Sequence, residues 1–256
     1  MPNLLIPCSG PGTRSVGYTK FHKALIRIGD KAVIDHIIDS FADIDKIYVT
    51  LGYEAEYIQQ YIQHSQRKNV EFIPIENWNS SQIASFKQIP RHVFDEPLYY
   101  NACDNWSTIV DTVETNTWFT CSPENAQYYD TSEDIVYSGI SFIKDSQEYY
   151  DILQNTDISR NDLLLLQQLN NLQSKALVDW YDVGNVQSYR TVQQDASFSV
   201  LDKTQQEIYS VNDRIIKLFV NKPDIQPNNN YPHPQPIAHT EHGLSYTKVT
   251  GKVNPM

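Results

Sequence analysis

Leu4-Leu5-Ile6-Pro7-Cys8-Ser9-Gly10-Pro11-Gly12-Thr13-Arg14, with Lys23 a little further on, is the stretch that decides how this chain is read. An apolar run suited to a buried strand passes directly into a loop with two glycines, then a guanidinium, then an ammonium. Glycines let a backbone turn closely around a polyphosphate, so that its N–H groups face the oxygens. Arginine adds a forked, permanent charge and lysine a point charge. A glycine loop alone describes a plain turn equally well; Arg14 and Lys23 tilt the reading towards a nucleoside triphosphate. The P-loop pattern is excluded, because no Gly-Lys-Ser/Thr closes the loop.

Outward from this stretch the hydrophobic pattern alternates between two periods. Strands are expected over 4–7, 46–51, 70–74 and 98–102, and helices over 33–41, 55–64 and 81–89. The helix over 33–41 puts Ile34, Ile37, Ile38 and Phe41 on one face. Such alternation predicts an α/β fold: a Rossmann-like, mostly parallel (mixed) sheet with helices on both faces. Ligands of such sheets sit at the carboxyl ends of the strands. The glycine loop, Gly52 and Asp104 all fall at strand ends and should converge on one cleft. Further strands are expected over 118–121 and 136–143, the second interrupted by Gly139, where an interior glycine marks close approach of a ligand or backbone. A leucine-rich helix over 162–171 reads as core. The stretch 221–236, rich in Pro and Asn, reads as a loop or linker.

Composition narrows the function classes. The 256 residues suffice for one substantial core plus an appendage. A hydrophobic content of 40% with 17 tyrosines describes a folded chain. The formal charge of −11 disfavours nucleic acid as a partner, since phosphate backbones select basic surfaces. Cys8, Cys103 and Cys121 lack metal-site spacing and cannot all pair, which suits a reducing cytoplasm. The N-terminal apolar run is too short for a signal peptide or a membrane span.

The segment 5–41 resembles the signature of the nucleotidyltransferases that make nucleotide-activated sugars and alcohols, a sugar-nucleotide and phosphocholine cytidylyltransferase-like group with a nucleotide-diphospho-sugar-transferase (GT-A-like) fold. Gly10, Gly12, Thr13, Arg14 and Lys23 match that motif position by position. Pro11 between the glycines and His22 in place of a proline depart from it. Pro11 removes one N–H, and His22 leaves Lys23 without the rigidity of a preceding proline. A phosphate contact by His22 and an ordinary exposed loop histidine are both open.

Further residues take roles from the resemblance. It implies a nucleotide site built from Pro7, Ser9, Gly10, Gly12, Thr13 and Arg14, with Gly52 and Tyr53 beside the base. Asp104, and Asp182 in Trp180-Tyr181-Asp182-Val183-Gly184-Asn185, fall where the family holds Mg²⁺, although each alone is also an ordinary turn residue. Mg²⁺ prefers one or two carboxylates plus substrate phosphates. Acceptor contacts are implied for Lys23 and Gly139; Trp106 has the chemistry to cover a small organic phosphate, while a core or lid aromatic is equally open. The polar segment 77–85, with Ser80 and Ser85, has the chemistry to read a base edge, while Asn79 or Ser80 equally suits a helix cap. The implied reaction needs no catalytic base: a phosphomonoester dianion attacks the α-phosphorus and pyrophosphate leaves. Arg14 then binds the β- and γ-phosphates, and Lys23 the α-phosphate and the attacking phosphate.

Within this group the resemblance lies with a capsule-biosynthesis branch in which the transferase precedes a choline-kinase-like lobe. The division expected is 1–195 for the transferase and 196–256 for a β-rich extension resembling part of a kinase-like N-lobe. A hairpin over 197–220, carrying Lys217, and a strand over 246–252 belong to that extension. Kinase activity is not expected, since no His-Gly-Asp loop is present. His233, His239 and His242 form either a metal site or a solvated loop. Residues 197–256 are expected to be dispensable for transfer, with the hairpin docking on the main domain or forming a homo-oligomer. The leading function is Mg²⁺-dependent transfer of CMP from CTP to a small phosphorylated metabolite such as phosphoglutamine or phosphocholine. A sugar-1-phosphate uridylyl- or guanylyltransferase and a non-catalytic regulatory homologue remain as alternatives.

Overall fold

The computed structural model describes residues 1–15, 17–122, 136–157, 165–196, 203–222 and 236–248. The first half contains β1 (Asn3–Cys8), β2 (Arg27–Ile28), β3 (Lys31–Ala32), α1 (Val33–Asp39), β4 (Ile47–Leu51), α2 (Ala55–Ser65), β5 (Val70–Pro74), α3 (Gln82–Phe86), β6 (Leu98–Asn101) and β7 (Asn105–Trp106). The rest contains β8 (Thr117–Cys121), β9 (Val136–Ile143), α4 (Ser146–Asn155), β10 (Gln173–Ala176), β11 (Tyr181–Asp182), α5 (Val186–Asp195), β12 (Gln206–Val211), β13 (Arg214–Phe219), β14 (Ala238–His239) and β15 (Gly243–Thr247).

Seven strands form the central sheet in the order β10-β8-β9-β6-β1-β4-β5. β1 lies inside the sheet between β6 and β4, parallel to both, with Leu4 opposite Ile47 and Tyr99. β9 alone runs antiparallel, against β6 and against β8. Central parallel strands are covered on both faces, so they read as continuous apolar runs; every residue of β4 is buried. One face packs Leu4, Ile6 and Val49 against Ile34, Ile37, Ile58 and Tyr61 of α1 and α2. The other packs Leu5, Tyr48 and Tyr100 against Phe86, Ile89, Leu153 and Leu165. The α/β fold with a mostly parallel mixed sheet is therefore as the alternating pattern predicts.

Three local differences have clear causes. Helix α3 spans only Gln82–Phe86, because Ser81 caps its start by accepting the Ala84 N–H, and Pro90 closes the segment soon after its end. Ser81, rather than Asn79 or Ser80, is thus the cap. In the leucine-rich stretch, residues 162–164 lie outside the described residues and Leu165–Leu166 are followed by turns, yet Leu165, Leu166 and Leu169 are core. Helices α4 and α5 were not anticipated; their polar faces give the apolar period little to register.

The extension folds as an antiparallel sheet, β12-β13-β15-β14, and lies on the main domain, with β13 and β15 against α2 and β12 against β3. Tyr209 is fully buried with its ring edge-on to Tyr61 at 4.7 Å. The apolar face carrying Tyr209, Val211, Ile216 and Leu218 is covered by the chain itself. Residues 197–202, His233 and the end of the strand expected over 246–252 lie outside the described residues. His239 is exposed, His242 tilts against Tyr57, and no group of three or more metal-binding side chains occurs among the described residues.

Candidate functional site

β1 delivers the chain at its carboxyl end into the glycine loop. The Ser15 N–H and hydroxyl both donate to the Gly12 carbonyl, at 2.8 and 2.7 Å, closing a tight turn. Gly12 has φ +56°, and a Cβ there would lie 3.3 Å from the Lys23 side chain and 3.1 Å from the Ser15 hydroxyl. Both backbone and space therefore favour glycine. Arg14 is exposed at the mouth of the loop.

His22 has a structural task, which corrects the picture of a loose exposed histidine. It is 2% exposed. Its Nδ1 accepts the Ala24 N–H at 3.2 Å, which leaves Nε2 to donate to the Gly10 carbonyl at 3.0 Å. One ring thus caps the short helical turn Lys23–Leu25 and ties it to the glycine loop. Burial, with Lys23 adding to it, pushes the imidazole down to about 4, so it is neutral at physiological pH. Lys23 is fixed without the proline of the family motif.

Asp104 and Asp182 are brought together by a ribbon too short to show in a hydrophobic pattern. β7 pairs antiparallel with β11, placing Asp182 opposite Asn105, and the Val183 N–H donates to the Asp104 carbonyl at 2.8 Å. A Cβ on Gly184 would sit 2.8 Å from Asp104 Oδ2 and 3.0 Å from Asp182 Oδ1, so both carboxylates flank one point. Asp182 accepts the Gly184 N–H and the Asn185 side-chain amide, each at 3.0 Å. Lys23 Nζ lies 2.7 Å from Asp104 Oδ2. Burial works against the charge on Asp104, but Lys23 more than offsets it and holds the carboxyl below its usual range. Burial, and then the neighbouring Asp104 charge, push Asp182 up to about 6. Two convergent carboxylates of which one is under-compensated suit a hard divalent cation that completes its shell with phosphate oxygens.

The glycine loop, Lys23 and Asp104 open onto a cleft of about 390 Å³ lined by Pro7, Ser9, Gly10, Gly12, Arg14, Lys23, Ser80, Ser85, Asp104 and Gly139 among others. An adjoining recess of about 200 Å³ is lined by Thr13, Arg14, Lys23, Asp104 and Gly184. Gly139, at φ +81°, sits on a bulge of β9 where a Cβ would lie 2.7 Å from the Asn105 side-chain nitrogen. Four residues singled out from the sequence line neither the cleft nor the recess: Asp182, whose carboxylate stands beside Gly184, and Gly52, Tyr53 and Trp106. Gly52 serves packing: a Cβ would be 2.5 Å from the Ser9 carbonyl oxygen and from Trp78. Tyr53 donates its N–H to that same carbonyl at 2.9 Å and tilts its ring against Trp78. Trp106 does not cover a ligand; it is 5% exposed and stacked between His36 and Tyr181. Trp78 and Gln82, both within the polar segment 77–85, also line the cleft, and so does Tyr100, which carries no signal beyond a strand position; Gln82 Nε2 donates to the Tyr100 hydroxyl at 3.2 Å.

No family model matches the chain. A curated relative, the bifunctional protein GlmU of Methanococcus maripaludis, is 34% identical over 71 residues, covering 27% of this chain and 17% of that protein. The match thus spans about a sixth of that relative's length. A candidate glucose-1-phosphate thymidylyltransferase from Bacillus anthracis superimposes with a TM-score of 0.62 at 14% identity, covering 80% of this chain and 98% of that one. CTP:phosphocholine cytidylyltransferase from Streptococcus pneumoniae gives a TM-score of 0.56 at 17% identity over 75% of this chain and 97% of that one. The chain shares the nucleotide-diphospho-sugar-transferase fold with these proteins.

Proposed function

We propose that this chain is a Mg²⁺-dependent nucleotidyltransferase that joins a nucleoside monophosphate to a small phosphomonoester and releases pyrophosphate. The observation that carries it is the convergence of the glycine loop, Lys23 and Asp104 on one cleft at the carboxyl end of β1, with the Asp182 carboxylate beside that of Asp104 at Gly184. An acceptor phosphomonoester is largely a dianion at neutral pH, with a second pKa of about 6, so the chain needs no base. Arg14, exposed at the mouth, binds the β- and γ-phosphates of the leaving pyrophosphate. Lys23 neutralises the α-phosphate and the attacking phosphate, reaching them from its ion pair with Asp104. Asp104 and Asp182 hold the cation, which when bound neutralises the α-phosphate oxygens. Ser80, Ser85 and Gln82 stand where a base edge can be read.

CTP is the favoured donor, and phosphoglutamine or phosphocholine the favoured acceptor, in capsule or surface polysaccharide synthesis. The phosphocholine cytidylyltransferase among the solved neighbours supports that reading. A sugar 1-phosphate acceptor with a uridylyl, guanylyl or thymidylyl donor is the second reading, supported by the thymidylyltransferase neighbour. A cytoplasmic setting agrees with three free, buried cysteines, and no described helix is long and apolar enough to cross a membrane. Incubating the protein with each nucleoside triphosphate, Mg²⁺ and a panel of phosphomonoesters, with pyrophosphate as the readout, tests the reading. Release that depends on both Mg²⁺ and one acceptor supports it; triphosphate binding without release under every combination sinks it.

A further inference from the structure

The segment between the glycine loop and β2 is held from two sides. On the cleft side His22 ties it to Gly10. On the other side the contacts come from the extension, and they bracket Lys23. Glu207 on β12 takes Lys20 Nζ on one carboxylate oxygen at 2.6 Å and Arg27 Nε on the other at 3.2 Å. Its side chain is only 15% exposed, so neither pair is an ordinary solvated surface bridge. The Tyr209 hydroxyl, fully buried, donates to the Leu25 carbonyl at 2.8 Å. That carbonyl belongs to the last residue of the turn that begins with Lys23. The Ser210 N–H donates to the Asp30 carbonyl at 2.7 Å. Position 20 lies before Lys23, and positions 25, 27 and 30 lie after it.

We propose that strand β12 is a positioning element of the active site, with Glu207 and Tyr209 fixing the Lys23 turn against the Asp104 carboxylate. Glu207 touches neither the cleft nor Lys23, so it acts through the backbone of residues 20–27. The inference rests on the role assigned to Lys23 above. It makes the extension part of the transferase and not an appended module, against the expectation that 197–256 are dispensable.

The test uses the full chain. Glu207→Gln keeps the shape and removes the charge that joins Lys20 to Arg27; Tyr209→Phe removes only the hydroxyl. Each should lower kcat for pyrophosphate release about tenfold and raise the acceptor KM, because a misplaced catalytic group costs turnover. Equilibrium binding of the triphosphate should stay within about twofold, since Arg14 and the glycine loop are untouched. Glu207→Asp, which restores the charge, should recover part of kcat. Combined with Lys23→Ala, Glu207→Gln should cost nothing further, the non-additivity expected of residues acting through one group. Tyr57→Phe removes a contact of the same sheet, to the Val220 carbonyl at 3.0 Å, and should leave kcat unchanged. Amide exchange over residues 17–30 should accelerate in Glu207→Gln. Unchanged exchange and kcat, or full additivity with Lys23→Ala, overturns the proposal. Faster exchange with a fully active Lys23→Ala supports the buttress and instead removes Lys23 from the proposed mechanism.

Discussion

A neutral histidine, used as a strut, gives the glycine loop a measurable pH signature. In the unfolded chain His22 titrates near its ordinary value of about 6.5, whereas in the fold it is pushed down to about 4 by burial and by Lys23. Between these values the unfolded state binds the extra proton, so stability rises with pH across this window and is lost as pH falls through it. The loss should be on the order of 2–3 kcal/mol between pH 7 and pH 4.5. His22→Gln keeps a donor for the Gly10 carbonyl but cannot titrate, so urea unfolding should show a flatter profile than the parent. Coincident profiles would mean that the ring charges freely in the folded state. The carboxylates make a second prediction at this scale. Asp104→Asn and Asp182→Asn each keep the side-chain volume and lose the charge, and each should lower Mg²⁺-dependent turnover by on the order of 10²–10³ with an unchanged circular dichroism spectrum. Turnover like the parent's in either variant would remove the two-carboxylate cation site.

The ribbon of β7 and β11 accounts for what could and could not be read in advance. Arg14, Lys23, Asp104 and Asp182 stand out as candidates because each matches a short motif of the family that the chain resembles, and the fold brings Lys23 and both carboxylates close together. The parallel strands were legible because their burial on both faces writes a continuous apolar run. The task of His22 was not, because its partner is a backbone carbonyl that any residue at position 10 would supply. The ribbon has two residues per strand and no period, and the reversal of β9 depends on partners, not on its own residues. Of the two readings open for Trp106, ligand cover or core aromatic, the fold takes the second, and its stacking partner Tyr181 comes from the far strand of the ribbon. Gly184 tests the element directly. A Cβ there meets Asp104 Oδ2 at 2.8 Å and Asp182 Oδ1 at 3.0 Å, so Gly184→Ala must spread the pair. Turnover should fall at least about tenfold and the Mg²⁺ concentration for half-maximal rate should rise. Gly10→Ala is the counterpart: nothing lies within 4 Å of its Cβ, so the thermal midpoint should hold while triphosphate affinity falls. An unchanged affinity would place the phosphates elsewhere.

At the scale of the whole molecule, the main part and the extension share one core. Tyr209, Val211, Ile216 and Leu218 of the extension belong to the same buried cluster as Ile34, Ile58 and Tyr61. Burying a side chain of this kind contributes roughly 1.5–3 kcal/mol, so the interface is comparable in scale to the net stability of a domain. A chain ending at Gln194 would leave the outer face of α2 open to water and Lys20 and Arg27 without the Glu207 carboxylate. It would also free the Leu25 carbonyl from Tyr209 and loosen the turn that carries Lys23. Such a chain should therefore be less stable by several kcal/mol, prone to associate through its exposed apolar face, and slower in pyrophosphate release even where it stays soluble. Sedimentation, a thermal midpoint and the pyrophosphate assay on the same sample separate these effects. If the shortened chain is monodisperse, melts with the parent and turns over at the parent rate, residues 1–194 are self-sufficient. The sheet at the C-terminus would then hold nothing that the reaction requires.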